Sequence, residues 1–195
     1  MNLDLIAMIT MLIIMSLFII GILFYLIIIW SDQCTTEEEQ YYEDLEQMEY
    51  LKKYNAENRI VVLDESSATV TMAAHALHTT EERIAKTLSF KINDNVILIV
   101  LAGDAKINNS KFKHFFHEKA HMLPFDEVES LTGHPVGGVC PFAVKPGVKI
   151  YLDESLKRFE TVFPACGSSS SAIEVTIKEL EEFSNSTSWI DVSTI

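Results

Sequence analysis

Three cysteines in 195 residues, with no C-x-x-C pair and no Cys/His spacing suited to zinc, exclude a disulfide-stapled scaffold and a zinc domain. Cys34, Cys140 and Cys166 read instead as buried or juxtamembrane thiols in a reducing compartment. Basic charge is also short: 15 Lys and Arg against 28 Asp and Glu leave a formal net charge of −13. That excludes a protein that holds nucleic acid by bulk charge. It leaves room for one that grips only the end of a nucleic acid with a local basic patch. There is no Gly-x-Ser-x-Gly elbow of the esterase kind, no internal repeat, and no His–Asp partnership that would make Cys140 a nucleophile.

What the chain has in excess is apolar sequence at its start. Leu5 to Trp30 contains no charged residue, and an apolar helix of about 20 residues crosses a bilayer. Tyr25 and Trp30 suit an interfacial aromatic belt. A cleavable signal fits poorly, because no basic segment precedes the run and no A-x-A-like site ends it. Cys34, after Ile27-Ile28-Ile29-Trp30-Ser31, lacks the small neighbours of a lipoprotein signal. The expectation is a single-pass transmembrane helix in residues 1–31. No Lys or Arg precedes it, and Lys52 and Lys53 follow, so the rest of the chain is expected on the cytoplasmic side.

An acidic stalk, residues 32–44, and one compact domain, residues 45–195, are expected next; this length allows one domain and an extension. Thr36 with Glu39 forms a capping box, and Tyr42, Leu45, Met48, Leu51 and Tyr54 recur at near-helical spacing. The spacing predicts a helix over Thr36–Asn55 that docks by its end. Its many glutamates read as a solvated face.

Beyond Asn55, Ile60–Leu63 reads as a strand and Asp64–Ser67 as a turn. A helix is predicted over Thr69–Leu77, and Thr79 with Glu82 predicts a capped short helix. Ile84–Phe90 and Val96–Leu101 predict a hairpin around Asn93-Asp94. Asn108–Lys119 and Phe125–Leu131 read as helices, the second stopped by Gly133. Strands follow at Val148–Leu152, Thr161–Pro164 and Ala172–Thr176, then a helix at Ile177–Phe183. Strands and helices interleaved in this way predict a mixed α/β (α+β) domain around a central sheet.

The most informative segment is Thr132-Gly133-His134-Pro135-Val136-Gly137-Gly138-Val139-Cys140-Pro141-Phe142. Adjacent glycines bring bare backbone N–H groups close to whatever lies opposite, and Pro135 and Pro141 stiffen both ends. Such a loop is suited to an ester carbonyl, a carboxylate or a phosphate, although an ordinary Gly/Pro turn has the same composition. Lys86 stands in an otherwise apolar strand pattern, so it either reaches solvent or serves a partner. His134 titrates in a range useful to a general base, or it shapes the loop. Gly167-Ser168-Ser169-Ser170-Ser171 falls between two strand patterns and reads as a tight turn lining the site. His114, His117 and His121 share a helical face by spacing, but no acid or cysteine completes a metal set; His75 and His78 carry less still. No metal and no cofactor is expected.

The segment Gly137 to Pro141 resembles the Gly-x-x-x-Pro loop of the YbaK/EbsC-type aminoacyl-tRNA deacylases, relatives of the editing domain of bacterial prolyl-tRNA synthetases. The same order of motifs continues in Asp64–Val70, Arg83–Phe90, Ile97–Val100, Ala102–Ile107 and Lys111-Phe112. It runs on in Val148–Asp153, Gly167–Ser169 and Ser171–Glu174. The resemblance covers roughly Leu45 onward and excludes the apolar segment. It implies a YbaK-like, partly barrel-like mixed sheet flanked by helices.

The resemblance further implies hydrolysis of mischarged aminoacyl-tRNA, with small amino acids such as Cys or Ala on tRNA(Pro). A ribose hydroxyl of the terminal adenosine would assist, so neither a triad nor a metal is needed. Lys86 and the Gly137, Gly138 and Pro141 loop are implied in positioning and oxyanion stabilisation. Thr87, His134, Val139, Cys140, Gly167 and Ser168 are implied in substrate binding. Partners implied are a tRNA acceptor end and an aminoacyl-tRNA synthetase. His134 stands where many relatives carry Tyr, which favours shaping the pocket over proton transfer. A membrane-tethered binding module that keeps the fold without catalysis remains the rival, supported by the anchor. A hydrolase of another aminoacyl or acyl ester is a third reading.

Overall fold

The computed structural model describes Met11, Met15, residues 17–25, Tyr42, residues 44–63 and residues 65–195. The chain divides into two units, Met1–Tyr42 and Glu43–Ile195. In the first unit residues 17–25 are helical and exposed. Most of the expected span Leu5–Trp30, the stalk start at Thr36 with Glu39, Asp64 and Cys34 lie outside the described residues. No helix of the described residues is long and apolar enough to cross a membrane.

The second unit begins with helix α1, residues 44–52. Gln47 and Leu51 are buried on it, one helical turn apart, with Tyr50 and Tyr54 half-buried beside them. This docking face is rotated from the expected one: Leu45 and Met48 are exposed, because positions 47, 50, 51 and 54 form the contiguous stripe. Strand β1, Ile60–Val62, is followed by α2, Val70–Ala76, capped by Thr69 accepting from Met72 N–H. The expected capping box on Thr79 is absent. Residues Glu81–Arg83 form a three-residue 3-10 turn with Thr80 as its cap and no side-chain cap bond. One short turn offers too few free N–H groups to use a box.

The hairpin is as expected. β2, Ile84–Ile92, pairs antiparallel with β3, Asn95–Ala102, through Asn93 and Asp94, both at positive φ (46° and 63°). Two left-handed residues give a type I′ geometry, whose twist matches the strands, and Asn and Asp tolerate it best. β3 is buried from Ile97 to Ala102, as a strand covered on both faces must be. Short β4, Lys106–Ile107, precedes α3, Asn109–Phe116, whose N-cap Asn108 accepts from the Ser110 and Lys111 N–H groups. The helix ends before the expected Lys119, because His117 turns left-handed at φ 62°.

A 3-10 turn, Phe125–Glu127, leads into α4, Val128–Thr132, stopped by Gly133 at φ 93°. The remaining strands are β5 (Lys149–Asp153), β6 (Thr161–Pro164), β7 (Ser171–Ile173) and β8 (Val175–Thr176). Helix α5, Ile177–Ser184, carries a full capping box from Thr176 and Glu179. β9 (Ser188–Ile190) and β10 (Ser193–Thr194) end the fold.

Six strands form one mixed sheet in the order β8-β6-β2-β3-β5-β9, with β1-β7 and β10-β4 as separate pairs. The single strand expected at Ala172–Thr176 is two: β7 pairs with β1, and β8 with β6. The break at Glu174 frees its carboxylate to accept from Arg83 and from the Thr161 hydroxyl. Leu98, Ile99, Leu152, Leu156 and Phe112 are fully buried around β3, each worth about 1.5–3 kcal/mol of burial.

Candidate functional site

The sheet leaves a gap where the site lies. On its edge away from β3, β2 pairs with β6 only at Ile84 and Ala85. Farther along, residues 121–123 take over: Lys91 N–H donates to His121 O and Leu123 N–H to Ser89 O. Residues 86–88 between these two partners have no strand neighbour on that edge. There a cavity of about 410 Å³ opens, lined by Lys86, Thr87, Leu88, Gly137, Val139 and their neighbours.

Lys86 is half-buried and donates from Nζ to the Gly103 carbonyl at 2.7 Å. Burial pulls its pKa below the ordinary lysine value; Asp104 opposes this, and Lys106 adds to it by like charge. One of three N–H donors is thus committed, and two remain for a ligand. Asp104 is itself held by Arg158, so it remains a neighbour rather than a partner of Lys86. The Thr87 hydroxyl is buried and has no hydrogen-bond partner, in a residue that lines the cavity. An unsatisfied buried hydroxyl costs about 1–3 kcal/mol, so its place at a ligand site has a physical reason.

The glycine loop closes the cavity from the other side. Gly138 N–H donates to Pro135 O at 3.0 Å, and Gly137, third in that turn, sits at φ 93°, as a type II turn requires. The Gly138 amide is therefore spent within the loop, and Pro141 has no N–H. Among the described residues the N–H groups of Gly137 and Val139 have no partner, and both residues line the cavity, together with Val136 of the same loop. The expected set of loop donors narrows to these two.

Gly138 has another duty. A Cβ there would lie 2.5 Å from Gly167 O, and one on Gly167, at φ 92°, would lie 2.5 Å from Gln47 Cγ. The glycines let the loop, the serine turn and α1 close on one another. The serine run is the expected tight turn, with Ser168 Oγ 2.8 Å from Ser171 Oγ and the Ser171 hydroxyl donating to Cys166 O. Ser67 N–H donates to Ser169 O, which brings Ser67 and Ala68 to the cavity wall.

Of the sequence-predicted residues, Lys86, Thr87, Gly137 and Val139 come together around the cavity. Gly138, Pro141, His134, Cys140, Gly167 and Ser168 do not line it; all six are buried. His134 is 2% exposed, with Nε2 2.9 Å from Phe142 O. A carbonyl only accepts, so Nε2 carries the proton. Burial lowers the imidazole pKa, with the Phe142 bond opposing. The Cys140 thiol donates toward Gln47 Oε1 at 3.6 Å, and burial pushes its pKa up to about 12. Both side chains hold the back of the loop.

His114, His117 and His121 do not share a helix face, since α3 stops at Phe116. No group of three or more His, Cys, Asp or Glu among the described residues is placed to hold a metal. Sequence reasoning missed the apolar wall of Val70, Ile84, Phe163, Phe125 and Met122. Phe163 and Ile84 had a signal in their strand patterns; Met122 had none.

Comparison with known proteins bears on the family and the fold. A family model described as the aminoacyl-tRNA editing domain matches residues 64–183. The chain is 55% identical over 144 residues, 73% of it and 92% of the relative, to the uncharacterized protein YwhH of Bacillus subtilis. It is 35% identical over 104 residues to a proline–tRNA ligase of Halalkalibacterium halodurans, spanning 53% of this chain but only 18% of the ligase. Among solved structures, the hypothetical protein APE2540 superposes with TM-score 0.64 at 31% identity, covering 70% of this chain and 91% of that one. A candidate trans-editing enzyme for prolyl tRNA synthetase shares the fold with TM-score 0.71 at 24% identity, covering 78% and 98%. With the editing-domain model matched across β2, the glycine loop and the serine turn, the chain belongs to the aminoacyl-tRNA editing domain family.

Proposed function

We propose that the protein is a trans-acting aminoacyl-tRNA deacylase that hydrolyses the ester joining a small, wrongly attached amino acid, cysteine or alanine, to tRNA(Pro). One observation carries this reading. A cavity is lined by a desolvated lysine, an unpartnered buried hydroxyl and two residues with unpaired N–H groups. The family supports the reaction class, and the ligase relatives support the tRNA.

The geometry suits ester hydrolysis. Water adds to the ester carbonyl, and the carbonyl oxygen gains the negative charge. Gly137 and Val139 N–H groups and the remaining Lys86 donors stabilise that oxyanion. The carbon–oxygen bond to the ribose then breaks, and the proton lost by water goes to the departing ribose oxygen through the neighbouring ribose hydroxyl. Thr87 supplies a hydrogen bond to the bound aminoacyl group. Gly138, Pro141, His134, Cys140, Gly167 and Ser168 fix the loop, so catalysis rests on positioning.

The proposal extends to location: Leu5–Trp30 anchors the chain in a membrane, with the globular domain cytoplasmic and a synthetase as a second partner. Alkaline extraction of membranes leaves an anchored chain in the pellet and releases a peripheral one.

Single-turnover assays of the full chain on Ala-, Cys- and Pro-tRNA(Pro) test the activity. Loss of the small amino acids with Pro retained supports it. Binding without hydrolysis of any of the three identifies a tethered binding module instead.

A further inference from the structure

Lys86, Leu88 and Met122 belong to two hollows at once. Behind the ester cavity they border a second hollow of about 370 Å³, whose lining is otherwise Phe90, Ala105, Lys106, Ile107, Asn109 and Ala120. Through Asn109 and Ala120 it continues into a third, bordered by Lys113, Lys119 and His121. The three hollows adjoin through these shared residues, making a stepped trough, and no carboxylate is among the residues that line it. This is unexpected in a chain whose acids outnumber its bases 28 to 15.

The lysines along it are also unspent. Lys106, Lys113 and Lys119 are exposed, and every ion pair among the described residues takes a different lysine or arginine. Acids close to these lysines in the chain are engaged elsewhere: Asp104 is held by Arg158, and Glu118 accepts from the Asn93 N–H. A row of free cations beside an apolar floor matches one chemistry well. A single strand of nucleic acid lays its bases on apolar surface and its phosphates along cations.

Resting on the deacylase reading, we propose that this trough receives the single-stranded 3′ end of the tRNA. The nucleotide next to the aminoacylated adenosine lies in the hollow of Leu88, Phe90 and Met122. The phosphates behind it follow Lys106, Lys113 and Lys119. A local basic track of this kind lets an acidic protein hold RNA without bulk positive charge.

The test is equilibrium binding of the full chain to an uncharged RNA hairpin with a four-nucleotide 3′ overhang, across a range of salt. The triple variant Lys106→Gln/Lys113→Gln/Lys119→Gln is compared with wild type and with Lys149→Gln/Lys178→Gln, two exposed lysines outside the trough. The triple variant should bind about tenfold or more weakly at low salt, with a salt slope shallower by about 2, since each phosphate contact on a single strand adds about 0.7. The control pair should bind as wild type. Equal affinity and slope in the triple variant overturn the proposal. So does loss of binding to anionic vesicles alone, which would assign the lysines to lipid. Because the RNA is uncharged, failure to deacylate refutes the activity without touching this result.

Discussion

A Cβ on Gly138 would stand 2.5 Å from the carbonyl oxygen of Gly167, which is backbone and cannot move aside cheaply. The two site loops are therefore held at the closest approach that glycine permits. Gly138→Ala must separate them, at a cost of about 1–3 kcal/mol of overpacking, and displace the Gly137 and Val139 amides. Urea denaturation should show the stability loss, and deacylation should fall at least about tenfold, because displaced donors no longer meet the oxyanion.

Thr87→Val separates function from stability. The hydroxyl it removes is buried without a partner, so the variant should be as stable as wild type or gain up to about 1 kcal/mol. Deacylation should nonetheless drop by about tenfold if the hydroxyl serves the substrate. A destabilised variant with full activity would show that the hydroxyl has a structural partner.

The thiols should be inert. Burial pushes Cys140 up to about 12 and Cys166 well above its ordinary value, and only thiolates react with disulfide reagents. In a Cys34→Ser background the native protein should titrate no thiol at pH 7.5 and two after denaturation. Cys140→Ala should keep its catalytic constant within about threefold, whereas a covalent route through Cys140 would abolish turnover.

The Arg59–Glu179 pair predicts an acid-dependent contribution. The Arg59 bond holds the Glu179 carboxyl down to about 2, below its ordinary 4.5. A depressed carboxylate stabilises fully above the unfolded value and loses that effect as pH falls through the folded one. The stability difference between wild type and Glu179→Gln should therefore shrink between about pH 4.5 and about pH 2. The pair is open to solvent on one side, with its side chains 41% and 31% exposed, so screening should hold the difference at neutral pH under about 1 kcal/mol. Gln preserves the capping box, so a large difference persisting at pH 2 would implicate lost helix capping instead.

Much of this arrangement was legible in the chain. The Asn93-Asp94 turn, the Gly133 stop and the lysine in an apolar strand each follow from local chemistry that acts within a few residues. What escaped depends on distant pairing. The docking stripe of α1 is chosen by Phe183, which stacks on Tyr54 at 4.5 Å, and no local period selects it. The pairing of residues 121–123 with β2, which defines the gap at Lys86, joins segments with no matching pattern. Whether His134 and Cys140 face the cavity or the interior depends on which side of a loop is covered, and composition is silent on that. The split at Glu174 likewise goes with a contact that local pattern does not show, to Arg83, 91 residues away in the chain.

The central claim is that Lys86 and the glycine loop bind and polarise an aminoacyl ester. The most direct test is deacylation of a panel of mischarged tRNAs by the full chain, beside Lys86→Ala. Turnover of one or two small-amino-acid tRNA(Pro) species, reduced at least about a hundredfold in the variant as for loss of one oxyanion donor, is the result expected. Equal turnover by Lys86→Ala, or none by a folded wild type, would contradict it.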